Sequence, residues 1–126
     1  MSGPSELLYL TPVHLHIVTM PFSTYVAYPN KPGSRFDVEY YTTKHFAVVD
    51  KLWRPLGLQS WNVTSFDGDV TAPYLILTQF IWKDADAAAK AYTPGPALDE
   101  LFANIMIYTD LAPNQFKGEQ IASSLY

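Results

Sequence analysis

Tyr74-Leu75-Ile76-Leu77-Thr78-Gln79-Phe80-Ile81-Trp82 is the stretch that decides the fold. It is rich in β-branched and aromatic side chains, which favour a half-buried pleated surface, and so it reads as a strand. Side chains alternate along a strand, so Tyr74, Ile76, Phe80 and Trp82 face one way and Leu75, Leu77 and Ile81 the other. Both faces are therefore apolar. Two helices can cover only one of them, and in a small chain a second copy of the same sheet is the simplest cover for the other. The strand thus predicts a homodimer packed sheet against sheet.

Upstream of this strand, Leu58 to Phe66 reads as its partner, separated from it by the turn former Asp67-Gly68-Asp69, which predicts an antiparallel hairpin. Further upstream, Val38, Tyr41, Val48, Val49 and Leu52 fall within one arc at helical spacing, predicting a helix from Val38 to about Arg54. Asp37 is its expected N-cap, with Glu39 near the positive end of the dipole. Pro55 and Gly57 end it. The turn-rich loop Pro29-Asn30-Lys31-Pro32-Gly33-Ser34 precedes it. Val13 to Met20 and Phe22 to Tyr28 are extended candidates broken at Pro21, and residues 1–12 read as a loosely held arm. Downstream, Asp84 can cap a helix from Ala85 to Tyr92, stopped by Thr93-Pro94-Gly95-Pro96. A brief helical turn at Ala97 to Phe102 and a last strand at Ile105 to Thr109 complete the chain. The order βαββαβ is the ferredoxin-like split unit, an α+β fold with a four-stranded antiparallel sheet. Residues 1–21 are expected to be an N-terminal extension and residues 22–126 the folded domain.

Composition sets the class. The 126 residues are 48% apolar and 16% charged, as in a packed globular domain. Eight Lys and Arg against twelve Asp and Glu give a net charge of −4, which argues against nucleic acid as a partner. No apolar run reaches the ~20 residues of a membrane helix. The first basic residue is Lys31, too late for the cationic start of a secretory signal, so a cytoplasmic location is expected. Without cysteine there is neither thiolate catalysis nor a thiolate metal site. Aromatic residues reach 15%, more than a small core needs, and suit either a lined pocket or a subunit interface.

His45 stands near the centre of the apolar arc of the long helix, one turn after Tyr41, on the side that should look at the sheet. A histidine on an inner face is more often a satisfied core residue than a catalyst. Its surroundings alter that balance, because Tyr28, Tyr40, Tyr41, Trp61, Tyr74, Trp82 and Tyr108 offer phenols and indoles that an aliphatic core would not use. An imidazole held by such groups titrates near neutral pH. His14 and His16, two apart, would share one strand face, but no third ligand stands at a recognisable spacing, so no metal is expected. There is no phosphate loop, no GxSxG elbow and no HExxH helix, hence no cofactor fingerprint.

Tyr28-Pro29, Phe36-Asp37, Tyr40-Tyr41-x-x-x-His45 and Leu56-Gly57-Leu58, with Pro73-Tyr74, Phe80 and Pro113 downstream, resemble the EthD-like family of the dimeric α+β barrel superfamily. The resemblance spans roughly Phe22 to Ile121. It implies a ferredoxin-like subunit, a homodimer whose sheets close into a barrel, and a pocket between helices and sheet. It carries over a functional histidine onto His45, with Tyr41 as neighbour. Relatives often show Asp-x-Pro-Asn before the last strand; the corresponding stretch is read as Asn104-Ile105-Met106-Ile107, which lacks the acid, and Asp110 could replace it only if the strand end curls toward the pocket. Relatives also start nearer their first strand, so His14 and His16 inherit no role. The family is similar to cofactor-free enzymes that tailor aromatic polyketides. The implied activity is a lyase step, decarboxylation or cyclisation with dehydration, on a hydrophobic phenolic substrate. His45 and Tyr41 would be catalytic, and Tyr28, Tyr40, Trp61, Tyr74, Phe80, Trp82, Asn104 and Tyr108 would bind substrate. A cofactor-independent anthrone-type monooxygenase and a non-catalytic small-molecule binder are the alternatives.

Overall fold

A computed structural model describes residues 6–10 and 15–124. Its centre is a four-stranded antiparallel sheet of β3 (Phe22–Pro29), β4 (Leu58–Ser65), β5 (Tyr74–Trp82) and β6 (Asn114–Glu119), in the order β4-β5-β3-β6. This is the ferredoxin-like arrangement expected from the order of elements. The register sets Val26 against Thr78 and Thr24 against Phe80, and on the other flank Val63 against Thr78. Alternation then places Ile76, Thr78, Phe80 and Trp82 on the helix-covered face, all buried, whereas Leu75, Leu77 and Ile81 on the opposite face are only half-buried.

Between β3 and β4 the chain runs through one continuous helix: α1 (Val38–Tyr40), a π-helical turn (Tyr41–His45) and α2 (Phe46–Trp53). Asp37 caps it through its side chain, accepting from the Tyr40 N–H. At the other end a 3₁₀ turn, Arg54–Leu56, leads into Gly57, whose φ of 117° is open to glycine at little cost. A Cβ there would lie 2.8 Å from the Ala87 Cβ, so Gly57 also permits α3 (Ala85–Ala91) to approach closely. Asp84 caps α3 by accepting from the Ala87 N–H at 2.8 Å, as the alanine-rich run suggested.

Three readings change. Ile105 to Thr109 is no strand: α4 runs unbroken from Pro96 to Tyr108, with Leu98, Leu101 and Tyr108 buried on one stripe. The β-branched Ile105 and Ile107 favour a strand locally, but the stripe at helical spacing packs against the core and prevails over that propensity. Only Thr109 keeps a sheet-like contact, an isolated bridge to Phe36. The last strand is instead β6, whose residues are all exposed and show no apolar alternation. Finally, the arm is not wholly irregular, because β1 (Glu6–Leu10) pairs antiparallel with β2 (Leu15–Thr19) in a separate two-stranded sheet. His14 lies outside the described residues.

Moving the last strand also moves the segment that precedes it. The stretch before β6 is Asp110-Leu111-Ala112-Pro113, not Asn104-Ile105-Met106-Ile107, which lies within α4. Asp110 is exposed and its carboxylate accepts from the Arg35 backbone N–H at 3.0 Å, so it does not curl toward the interior.

Candidate active site

The loop before α1 is tied to the end of α4. The Asp37 N–H donates to the Tyr108 carbonyl at 2.7 Å, and the Thr109 hydroxyl donates to the Arg35 carbonyl at 2.7 Å. Arg35 also donates through its guanidinium to the carbonyls of Met106 and Ile107, filling acceptors left open at a helix C-terminus. These ties set the start of the long helix beside Tyr108, and that juxtaposition builds the site.

The π turn comes next. Here the Phe46 N–H reaches back to the Tyr41 carbonyl, one residue further than in an α-helix. The hydroxyls of Thr42 and Thr43 donate to the carbonyls of Val38 and Glu39, at 2.9 and 2.6 Å, supplying bonds where the regular ladder is disturbed. Single π turns of this kind concentrate at functional sites. The wider turn brings residues four apart nearly into line, so the rings of Tyr41 and His45 lie almost parallel, 12° apart, with centroids 5.4 Å apart.

His45 is buried, 7% exposed, as its place on the inner arc suggested. Tyr108 lies 4.9 Å from it, centroid to centroid. Its Nδ1 is 2.9 Å from the Asn104 Oδ1. The Asn104 amide nitrogen in turn donates to the Tyr40 hydroxyl at 3.2 Å, which orients the carboxamide oxygen toward the histidine. An amide oxygen can only accept, so neutral His45 carries its proton on Nδ1 and keeps Nε2 as the basic atom. Burial pushes the imidazole pKa below its ordinary value near 6.5, partly opposed by the Asn104 bond, so the ring is neutral at physiological pH.

The phenols nearby stay protonated. Burial raises Tyr28 to about 12, with its bond to Tyr108 acting in the opposite direction. Burial also moves Tyr41 and Tyr108 well above the ordinary phenol range. Tyr28 and Tyr108 bond to one another, hydroxyl to hydroxyl, at 2.5 Å, while the Tyr41 hydroxyl pairs with Thr78 at 2.7 Å. The site therefore presents one basic nitrogen among hydroxyls that remain hydrogen-bond donors.

Tyr28, Tyr41, His45, Phe80 and Tyr108 line a common cavity, and of the residues singled out from the sequence these five are brought together. Tyr40 and Asn104 stand behind His45 and act on it through hydrogen bonds rather than on the cavity. The remaining three lie apart from it. Trp61 packs on Phe46 and donates to the Asp50 carboxylate at 3.0 Å, Trp82 is buried in the core and donates to Thr24 at 2.9 Å, and Tyr74 opens β5. Trp53, Tyr92 and Gln115 also line the cavity but carry no motif. Trp53 had a signal, since it continues the stripe His45, Val49, Trp53 at spacings of four; Gln115 had none, because its strand was not recognised. The cavity measures about 40 Å³, room for a water or two. Among the described residues, no group of three or more His, Asp or Glu side chains is arranged to hold a metal.

No protein-family model and no curated protein matches the sequence. Solved structures do resemble it. An EthD-like protein from Ralstonia eutropha JMP134 superposes with a TM-score of 0.70 at 24% identity, covering 83% of this chain and 96% of its own. An ethyl tert-butyl ether D (EthD) family protein from Bacillus halodurans C-125 gives 0.57 at 16% identity, covering 82% of this chain and all of its own. HapK from Hahella chejuensis gives 0.52 at 18% identity, covering 82% of this chain and 97% of its own. The chain therefore has the fold of EthD-like proteins. No helix among the described residues is long and apolar enough to cross a membrane.

Proposed function

We propose that this protein is a small cytoplasmic enzyme of the EthD-like family in which His45 carries out acid/base catalysis, without a cofactor, on a hydrophobic phenolic or polyketide-type substrate. The reaction is of the lyase type, decarboxylation or cyclisation with dehydration. The observation that carries this reading is the His45–Asn104 bond. It fixes the tautomer of a buried, neutral imidazole, leaving Nε2 free to take or return a proton at a carbon next to a phenol or enol oxygen. Tyr41 holds the ring flat by stacking, and the Tyr28–Tyr108 pair supplies hydroxyls for the oxyanion that develops on the substrate. Residues 22–126 form the catalytic domain, and residues 1–21 stand outside it.

Half-buried Leu75, Leu77 and Ile81 on the uncovered sheet face support a homodimer packed through that face. The catalytic reading is tested with His45→Gln, which keeps a polar side chain of similar reach but no titratable base. Turnover of phenolic polyketide substrates should fall by ~10² or more. A folded variant that keeps full turnover ends this reading, and oxygen uptake matching turnover would favour the monooxygenase instead.

A further inference from the structure

A cavity of about 40 Å³ beside His45 is too small for an aromatic substrate, because ligand pockets run to ~300 Å³ or more. A second hollow does reach that size. Between α3 and β6 lies an open groove of about 690 Å³, walled on one side by Ala85, Ala88 and Ala89 of α3 with Asp86 among them, and on the other by Phe22, Thr24 and Lys117. The two hollows share two residues, Tyr92 and Gln115. Tyr92 closes α3 between the groove and the cavity. Its ring packs on Trp53 and Trp82, while its hydroxyl is held to Thr24 by a single bond at a long 3.2 Å, so a side-chain swing has one polar bond and these ring contacts to give up. On the inner side, 5.0 Å from the Tyr92 ring, stands Trp53. It is 95% buried and its indole N–H has no hydrogen-bond partner, an arrangement that proteins seldom leave without an acceptor. Trp53 and His45 lie eight residues apart on the same helical stripe, roughly 12 Å at 1.5 Å per residue.

We propose that the groove and the His45 cavity are two halves of one cleft for a flat, oxygenated aromatic molecule, with Tyr92 as the movable partition and the Trp53 indole as the donor to the ligand's oxygen. The proposal rests on the catalytic reading of His45 and adds where the ligand lies. The low side chains of Ala85, Ala88 and Ala89 on α3 suit a planar ring system, with the Asp86 carboxylate beside them. Tyr92 swings aside to admit it, and an oxygen carried inward gives Trp53 its missing acceptor while the far edge of the ring approaches His45.

The test titrates the full chain with 1,8-dihydroxyanthraquinone, and with anthracene as an oxygen-free control, following tryptophan fluorescence. Trp53→Phe keeps the aromatic wall and deletes the donor; it should weaken binding of the quinone by about three- to tenfold, the worth of one hydrogen bond, and leave anthracene within twofold. Tyr92→Ala should bind both probes about tenfold more tightly, as expected if the partition stands open roughly a tenth of the time, and Tyr92→Trp should bind both more weakly. Equal losses for the two probes in Trp53→Phe, or unchanged affinities across the Tyr92 variants, overturn the proposal. So does a probe affinity that falls as protein concentration rises, because a second copy of the chain would then occupy the groove. The two readings fail separately. His45→Gln that keeps turnover while Trp53 and Tyr92 govern binding removes the catalytic base and spares the cleft, and the reverse result spares the base alone.

Discussion

Replacing Asn104 in two opposite ways tests the centre of the site. Asn104→Leu keeps the volume near His45 and removes the acceptor 2.9 Å from Nδ1. A buried N–H left without a partner costs ~1–3 kcal/mol. Water entering the adjoining 40 Å³ cavity would bring the loss toward the lower end. At about 4 °C per kcal/mol for a chain of this length, the melting temperature should drop by ~4–12 °C. The same substitution removes the interaction that raises the His45 pKa and leaves desolvation unopposed, so the imidazole should titrate lower than in the parent protein. Asn104→Asp puts a negative charge where the amide oxygen stands, and His45 should then titrate higher.

Proton-detected NMR titration of the imidazole reads both shifts directly, and stability against pH gives an independent measure. In the parent protein the folded-state pKa of His45 lies below the unfolded value near 6.5. Above pH 6.5 the ring is neutral in both states and contributes nothing to the pH dependence. As pH falls below 6.5 the unfolded chain takes up a proton that the folded one refuses, so stability drops until the folded pKa is reached and then levels off. Asn104→Leu widens that window on its acid side and Asn104→Asp narrows or inverts it. If the two variants move the His45 titration in the same direction, the tautomer argument is wrong; if His45 in the parent protein titrates at or above 6.5, burial does not dominate its titration.

The other features predict as follows. Gly57→Ala combines a φ of 117° with a Cβ 2.8 Å from that of Ala87; urea unfolding should show a loss of ~1–3 kcal/mol, and an unchanged midpoint would mean that α3 moves away freely. Ile81→Lys places a charge on the half-buried sheet face and should convert a dimer into a monomer in light scattering at micromolar concentration, with the near-ultraviolet signature of the core intact; a parent protein that is already monomeric refutes the sheet-to-sheet packing.

What could be read from the sequence follows from periodicity. The helix from Val38, the hairpin of β4 and β5 and the capped α3 each carry an apolar period or a turn with one physical meaning, and each stands where it was expected. Elements without a period escaped. β6, Asn-Gln-Phe-Lys-Gly-Glu, is an edge strand held by its backbone pairing with β3, and its exposed side chains show no alternation. The run Ile105-Met106-Ile107 carries strand propensity inside a helix, and packing of Leu101 and Tyr108 decided against it. His45 and Tyr41 were legible because they share a helical face. The bond from Asn104 to His45 spans 59 positions, and no spacing rule encodes a contact of that kind.

The π turn at Tyr41–His45 left no periodic trace either, and yet it decides whether His45 can work. It amounts to one extra residue in a helix whose regular hydrogen bonding would otherwise continue from α1 into α2. Such a defect weakens the helix and persists only because Thr42 and Thr43 supply side-chain bonds and because the Tyr41 and His45 rings stack once the turn has widened. Deleting Thr43 should therefore restore a regular α-helix without unfolding the protein, since the buried stripe of α2, Phe46, Val49 and Trp53, can stay in place. With the extra residue gone the two flanks keep their phase, but Tyr41 and His45 stand three residues apart instead of four, which ends the near-parallel stacking of their rings. Helical content by circular dichroism should hold or rise while turnover falls by at least the ~10² expected for loss of the general base. A deletion variant that folds, keeps full turnover and retains the low titration of His45 would show that the widened turn is an accident of packing and that the catalytic geometry has another source.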